Sequence, residues 1–201
     1  LPNAEHKPPH ILEDLHETDP AKRYKTLRWT MDTRAPMQAF LYTSPDAWNW
    51  TPYENNPLFD TTPKIGRWGP SHLMGWDPIR ETYAIYLENS HHRRGPMGKR
   101  LIGRAESPDM IEWSEPETIL IPDEQDAPDI EFYSMPTIVY ENMYVGLVWI
   151  FSTTNTTHHP ELVFSRDGVH YERRYRAPFL RRGSGIEFDS TSIYAYPPIV
   201  H

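Results

Sequence analysis

Ser107-Pro-Asp-Met-Ile-Glu-Trp113 is one of three copies of a short pattern, and these copies set the architecture of the chain. Ser44-Pro-Asp-Ala-Trp-Asn-Trp50 and Ser165-Arg-Asp-Gly-Val-His-Tyr171 share with it a Ser, an Asp two residues later and an aromatic residue six residues later. Each copy predicts a strand that ends at the Ser, a tight turn in which the Asp binds its own backbone, and a ring that packs as the next strand begins. The copies lie about 60 residues apart, a spacing that is typical of propellers and solenoids.

The segments around these copies follow one plan of short strands. The pattern predicts strands at 11–14, 24–31 and 38–43 in a first unit, at 71–76, 82–88 and 100–105 in a second, and at 133–140, 143–151 and 161–165 in a third. The units cover about 10–60, 70–120 and 130–180, and the start of a fourth lies at 186–201. We therefore predict an all-β fold, a β-propeller of four-stranded antiparallel blades with about three blades and the beginning of another.

Three blades and a beginning do not close a ring, because closed propellers carry roughly four to eight blades. The missing initial Met and the interrupted last unit favour a fragment of a longer protein. A second copy that completes the ring by self-association and an open array are the alternatives.

The composition excludes several classes of partner. A formal net charge of −8 argues against nucleic acid and against anionic lipid, since both require a basic surface. The sequence has no apolar run near 18 residues, no cysteine for a disulfide or metal site, and no Rossmann, Walker A, His-Glu-x-x-His or Gly-x-Ser-x-Gly motif. We therefore expect no nucleic-acid partner, no membrane partner and no cofactor.

Two motifs resemble those of a known enzyme clan. Gly75-Trp-Asp-Pro78 and, after a Tyr-rich strand, Gly103-Arg-Ala-Glu-Ser-Pro-Asp109 with Trp113 are similar to the Arg-Asp-Pro motif and the Ser-x-Asp-x-x-x-Trp turn of the five-bladed propeller glycoside hydrolases. This clan includes invertases, fructanases, arabinanases and xylosidases. The resemblance implies a five-bladed propeller, hydrolysis of a glycosidic bond in an oligo- or polysaccharide, and an extracellular or periplasmic location.

The resemblance also implies a catalytic set of three carboxylates, one at the start of the innermost strand in each of three blades. On this pattern Asp77 matches the transition-state stabiliser. Glu131 is the candidate for the general acid, although Ser134 lies nearer the place of the clan's Glu. The first-blade acid has no Asn-Asp-Pro equivalent, and Asp14 is the nearest residue to its place.

The chemistry of the residues supports the same expectation. Cleavage of a glycosidic bond needs one protonated and one ionised carboxyl, about 5–9.5 Å apart. Asp14, Asp77, Glu131 and Asp189 are each predicted to begin or precede an innermost strand, so a radial arrangement would bring them together around one axis. The alternative is structural, because Asp before Pro is a common turn opener.

Four further residues are candidates for substrate binding. His91 and His158 fall in predicted polar loops, the second at 152–160, where they are candidates to bind sugar hydroxyls, an acidic sugar or a metal. Trp76 and Tyr133 are candidates to stack on a sugar ring. A solvated loop and core packing are the alternatives. Two other functions therefore stay open: a non-catalytic carbohydrate-binding or scaffold propeller, and a metal-dependent enzyme that uses the loop histidines.

Overall fold

The computed structural model describes residues 10–29, 38–60, 68–89 and 99–196, and within them the regular structure is almost entirely β-strand. The first sheet contains β1 (Leu12–Glu13), β2 (Tyr24–Trp29), β3 (Gln38–Ser44), β4 (Thr51–Pro52) and β5 (Phe59–Asp60). The second contains β6 (Trp68–Asp77), β7 (Thr82–Asn89), β8 (Leu101–Ser107) and β9 (Glu117–Leu120). The third contains β10 (Ile130–Phe132), β11 (Thr137–Tyr140), β12 (Met143–Ser152), β13 (Thr157–Ser165) and β14 (Tyr171–Glu172). The described ranges also contain one 3-10 turn, at Pro20–Lys22.

Each sheet is an antiparallel meander of four strand positions, and we call the three sheets blades 1, 2 and 3. The strand orders are β1-β2-β3-β4, β6-β7-β8-β9 and β10-β12-β13-β14. In blade 1, β5 pairs with the first residues of β3 while β4 pairs with its last ones, so β4 and β5 form one interrupted outer strand. In blade 3, β10 and β11 both pair with β12 and form one interrupted first strand. The predicted all-β propeller with four-stranded blades is confirmed.

The blades pack face to face through alternating side chains of their middle strands. In β7, Tyr83, Ile85 and Leu87 join Leu27 and Leu41 of blade 1 in one buried cluster. The intervening Tyr86 faces the other way and belongs to a second cluster, shared with blade 3. That second cluster also contains Ile102 and Leu120 of blade 2 and Phe132, Met135, Val148, Ile150 and Val163 of blade 3. Both faces of β7 are buried, which explains why its residues are almost all apolar. Each large apolar side chain contributes about 1.5–3 kcal/mol to the stability of the fold when it is fully buried.

The three Ser-x-Asp turns adopt one conformation, as predicted. In the first, Asp46 accepts hydrogen bonds from the backbone N–H groups of Trp48 (2.9 Å) and Asn49 (2.8 Å), and in the second Asp109 does the same for Ile111 and Glu112. Asp167 repeats the arrangement with Val169 and His170. The residue after each Asp has a positive φ: 62° at Ala47, 65° at Met110 and 78° at Gly168. Each turn joins the third strand of its blade to the fourth.

Two sequence expectations about strand limits are wrong. The loop predicted at 152–160 is shorter, because β13 begins at Thr157 and pairs with β12 along its whole length. His158 therefore lies in a strand. Asp77 and Asp14 do not begin innermost strands: Asp77 is the last residue of β6, and Asp14 follows β1. In both places the Asp opens the turn between the first and second strands by accepting a nearby backbone N–H, a role that these side chains take readily.

None of the helical structure in the described ranges is long or apolar enough to cross a bilayer.

Candidate functional site

The antiparallel topology gives every blade two distinct ends. At the hairpin end, turns such as residues 78–81 and 141–142 join the first strands to the second. At the entry end, the first strands β6 and β10 begin, and β12 turns into β13. The candidate residues divide between these two ends, and this division determines what they can do together.

Asp77 lies at the hairpin end and is completely buried. Its carboxylate accepts hydrogen bonds from Arg104 Nη2 of the same blade (2.6 Å) and from the Tyr144 hydroxyl of blade 3 (2.7 Å). The backbone N–H groups of Ile79 and Arg80 donate to its other oxygen. Burial and this carboxylate raise the pKa of Tyr144. This buried carboxylate, with its four hydrogen-bond partners, links blade 2 to blade 3, and we call such a link a joint.

Asp14 forms a second joint of the same design between blades 1 and 2. Lys25 Nζ of its own blade donates to it at 2.6 Å, and the Tyr83 hydroxyl from the next blade donates at 2.8 Å. Trp76 lies beside this joint, where its ring stacks on His16 with 3.6 Å between centroids. In each joint an Asp at the end of a first strand meets a cation from its own blade and a tyrosine from the next.

Glu131 lies at the opposite, entry end, near the start of the first strand of blade 3. It pairs with Phe151 in the ladder between β10 and β12, and its side chain is 13% exposed. Arg100 Nη1 donates a hydrogen bond to Glu131 Oε2. The same guanidinium lies over the rings of Tyr133 and Phe151, at 5.4 Å from each centroid. Glu131 is thus held at the edge of an aromatic group while part of its side chain still reaches solvent.

The structure does not bring Asp77 and Glu131 together. Asp77 is bound by Tyr144 near the start of β12, whereas Glu131 pairs with Phe151 near its end. These β12 residues are seven positions apart, which corresponds to about 23 Å at the rise of a strand. The predicted meeting of these two carboxylates around one axis is therefore wrong.

Aromatic side chains lie beside Arg100 at the entry end. Tyr133 lies edge-on to His158 at 4.9 Å, and His158 stacks on Phe151 at 4.3 Å. Trp149 and Tyr194 complete the group, with 4.8 Å between their centroids. We call these five residues the entry cluster. Tyr133 and His158, both predicted from the sequence to bind substrate, lie here together with Glu131.

His158 is held in a defined orientation within the entry cluster. Its Nδ1 is 3.0 Å from the Ser192 hydroxyl and 3.2 Å from the Tyr194 hydroxyl. Its Nε2 is buried without a hydrogen-bond partner among the described residues. Burial, with the nearby charge of Arg100, lowers the pKa of His158 to about 4. The ring is therefore neutral at physiological pH and leaves one nitrogen unused.

The remaining predicted residues are placed less directly. Asp189 is half-buried in the turn that precedes Thr191. The Thr191 carbonyl accepts a hydrogen bond from the backbone N–H of His158 at 3.1 Å. Asp189 is therefore close in sequence to a residue that contacts the entry cluster. His91 lies outside the described residues. Within the four described ranges no group of three or more His, Asp or Glu side chains is arranged to hold a metal ion.

Two residues of this site, Arg100 and Glu88, were missed in the sequence. Arg100 directly precedes β8, and its Nε is 3.4 Å from Glu88 Oε2 at the end of β7. The alternation of side chains along a strand could have identified Glu88, because it is two residues after Tyr86 and must face blade 3 as Tyr86 does. Their pairing with Glu131 lies across a blade boundary, and no local pattern reports it.

The comparisons with known proteins agree with this architecture. No protein-family model and no curated protein sequence matches the chain. Among solved structures, it is similar to a glycoside hydrolase (14% identity, TM-score 0.67, 88% of this chain and 55% of that one) and to a thermostable family-43 glycoside hydrolase (13%, 0.66, 89% and 57%). It is also similar to an N-acetylgalactosamine deacetylase from F. plautii in complex with blood group B trisaccharide (15%, 0.68, 98% and 61%).

These similarities establish the fold. The chain has the β-propeller fold of the glycoside hydrolase clan that its motifs resemble. It spans between 55% and 61% of the length of the three solved structures.

Proposed function

We propose that the chain is part of a carbohydrate-active propeller that hydrolyses a glycosidic bond at its entry end, with Glu131 as the general acid. The observation that carries this proposal is the position of Glu131 near the start of the first strand of blade 3, partly exposed beside the entry cluster. A general acid protonates the leaving oxygen as the glycosidic bond breaks, so it must be reachable and fixed in direction. The contact with Arg100 fixes its direction.

The entry cluster supplies the groups that would bind the sugar. Aromatic rings offer an apolar face to a sugar ring, and Tyr133, two residues after Glu131, is the ring of the entry cluster nearest to it in sequence. His158, whose Nε2 is too deeply buried to reach a sugar hydroxyl, is proposed to hold the rings of Tyr133 and Phe151 in place beside the sugar. Asp189, which adjoins the cluster, is proposed as a further polar contact. Asp77, Asp14 and Trp76 are not part of this proposal, because they form or flank joints between blades at the hairpin end.

The test is the substitution Glu131→Gln in the full-length protein. It keeps the shape of the side chain but removes its ability to transfer a proton. We expect turnover of oligosaccharides, measured as release of reducing ends, to fall by about 10²–10⁴-fold. Glu172→Gln is the matched control, since Glu172 is on β14, pairs with Arg174 and lies away from the site. Equal turnover by Glu131→Gln and the wild type would exclude the proposed role.

A second function, carbohydrate binding without hydrolysis, is favoured by one specific observation. The two carboxylates predicted as a catalytic pair lie at opposite ends of β12. If the protein only binds glycans, calorimetry should detect binding that Tyr133→Ala abolishes, and no reducing ends should form with any glycan that binds. Release of reducing ends that depends on Glu131 would exclude this second function.

A further inference from the structure

We propose that Tyr194 and Tyr196 form an aromatic row that extends the sugar-binding surface from the entry cluster toward blades 1 and 2, and that this row binds successive uncharged sugar rings of an oligosaccharide. The proposal deepens the function proposed above and rests on it. Its basis is the segment that follows blade 3, residues 190–196, which lies against the entry half of that blade.

Hydrogen bonds hold this segment on blade 3. The backbone N–H of His158 donates to the Thr191 carbonyl at 3.1 Å, and the backbone N–H of Ile193 donates to the His158 carbonyl at 3.2 Å. The indole N–H of Trp149 donates to the Ala195 carbonyl at 2.9 Å. Because Ala195 lies between the two tyrosines, the backbone that carries both rings is fixed.

The two rings reach different parts of the molecule. Tyr194 contacts His158 of the entry cluster, with 4.9 Å between centroids. Tyr196 lies 4.9 Å from His10, which precedes β1, and 6.2 Å from His72 on β6. The Cα atoms of the two tyrosines are at most about 7 Å apart, because only one residue separates them. The row therefore continues the entry cluster toward the first strands of blades 1 and 2.

Both rings of the row are open to solvent although their backbone is fixed. Tyr194 is 48% exposed and Tyr196 is 49% exposed, whereas Trp149, which contacts both, is 5% exposed. A fixed ring loses little conformational freedom when a sugar stacks on its apolar face. The Tyr196 hydroxyl has no hydrogen-bond partner within the described ranges, so it is available to a sugar hydroxyl as donor or acceptor.

The surroundings of the row favour uncharged sugars. Burial lowers the pKa of His10 and lowers that of His72 to about 3, so both rings are neutral at physiological pH. His158 is neutral for the same reason. Among the described residues, the rings that contact the row are therefore uncharged, and an acidic sugar would find no counter-charge in them.

The test is the dependence of affinity on glycan length. Calorimetry with xylo-, manno- and arabino-oligosaccharides of two to five units uses the full-length protein with Glu131→Gln, so that a bound glycan is not cleaved. Because Tyr196 extends the surface away from the entry cluster, Tyr196→Ala should weaken binding of the longest member of a series by about five- to tenfold. Binding of the shortest member should stay within about twofold of the parent.

Tyr140→Ala is the matched control, since Tyr140 is 45% exposed but lies at the hairpin end, and it should bind every length as the parent does. Tyr196→Leu keeps an apolar contact with His10 and His72 but removes the flat ring, so it should show the same length-dependent loss and replaces Tyr196→Ala if that variant does not fold.

Three results would overturn the inference. An equal loss for short and long glycans would show that Tyr196 only supports the local fold, and unchanged binding at every length would show that it does not contact the glycan. If none of the neutral series binds, the assignment to uncharged sugars is wrong, and oligogalacturonates then test whether acidic sugars bind instead.

Binding and turnover fail independently. If Tyr196→Ala shows the length-dependent loss but Glu131→Gln retains full turnover, the aromatic row stands and the proposed general acid is wrong. If Glu131→Gln is inactive but Tyr196→Ala binds long glycans as its parent does, the proposed general acid stands and the aromatic row is wrong.

Discussion

At the scale of single residues, the clearest case is Asp77, whose chemistry follows from the atoms around it. It binds Arg104 and Tyr144 in a place with no exposed surface. We predict that Asp77→Asn costs about 1.5–3 kcal/mol of unfolding free energy, because it removes the buried counter-charge of Arg104 and leaves this guanidinium with the partly exposed Glu106, 3.0 Å away, as its ion-pair partner. Urea denaturation measures this loss directly.

Glu172 provides the control, because its carboxylate carries the same charge as Asp77 but is exposed to water. Glu172→Gln removes a charge that is 61% exposed, so its unfolding midpoint should match the wild type. A folded Asp77→Asn protein with wild-type stability and no turnover would return Asp77 to the catalytic site and contradict its assignment as a joint.

At the scale of elements, the three Ser-x-Asp turns allow a paired prediction. Gly168 has φ +78°, and a Cβ atom there would come within 2.8 Å of Arg104 Nη1 and Tyr144 Cζ. Gly168→Ala should therefore destabilise the protein by more than the 1–2 kcal/mol that a left-handed residue costs alone. Ala47 occupies the same turn position with φ 62°, so Ala47→Gly relieves strain while it adds chain entropy to the unfolded state.

We expect Ala47→Gly to change the unfolding free energy by less than about 1 kcal/mol, with a sign opposite to that of Gly168→Ala. Thermal and urea unfolding of the two variants against the wild type measure both effects. Similar losses in both would mean that the two turns do not share the conformation described for them.

The elements also show how far the sequence could be interpreted. The turns were predicted because everything that forms them lies within seven residues, from the Ser to the aromatic ring. Asp77 was expected beside the start of an innermost strand because the clan resemblance assigned Asp-Pro to its catalytic motif, whereas Asp-Pro also opens turns, and a turn is its place in the structure. The contact of Arg100 with Glu131 joins blade 2 to blade 3, and periodicity along one strand does not encode a contact of this kind.

At the scale of the whole molecule, two buried histidines set how stability depends on pH. Burial lowers the pKa of His72 to about 3 and that of His158 to about 4, from 6.5. A histidine with a lowered folded-state pKa stabilises the fold fully above 6.5 and loses that contribution as the pH falls. We predict that the unfolding free energy decreases between pH 6.5 and about 4.5, by about 1 kcal/mol per pH unit for His158.

A second decrease should follow at lower pH. Backbone hydrogen bonds lower the pKa of Asp109. The pKa values of Asp46 and Asp167, which lie in turns of the same kind, are lowered as well. Carboxylates of this kind lose their stabilising effect only below about pH 4, which is below the range in which His158 takes up its proton and overlaps that of His72, whose folded-state pKa is about 3. Urea midpoints measured at half-unit intervals resolve them.

Two histidine variants separate the causes of the first step. His158→Phe cannot take up a proton, so the slope of unfolding free energy between pH 6.5 and 4.5 should become shallower even if the variant is less stable overall. His170 is the control, because Asp167 raises the pKa of this exposed histidine and its contribution has the opposite sign, present below 6.5 and lost as the pH rises. In His170→Gln the unfolding free energy should therefore still decrease on acidification. If its slope against pH is as steep in His158→Phe as in the wild type, His158 takes up its proton as readily in the folded chain as in the unfolded one.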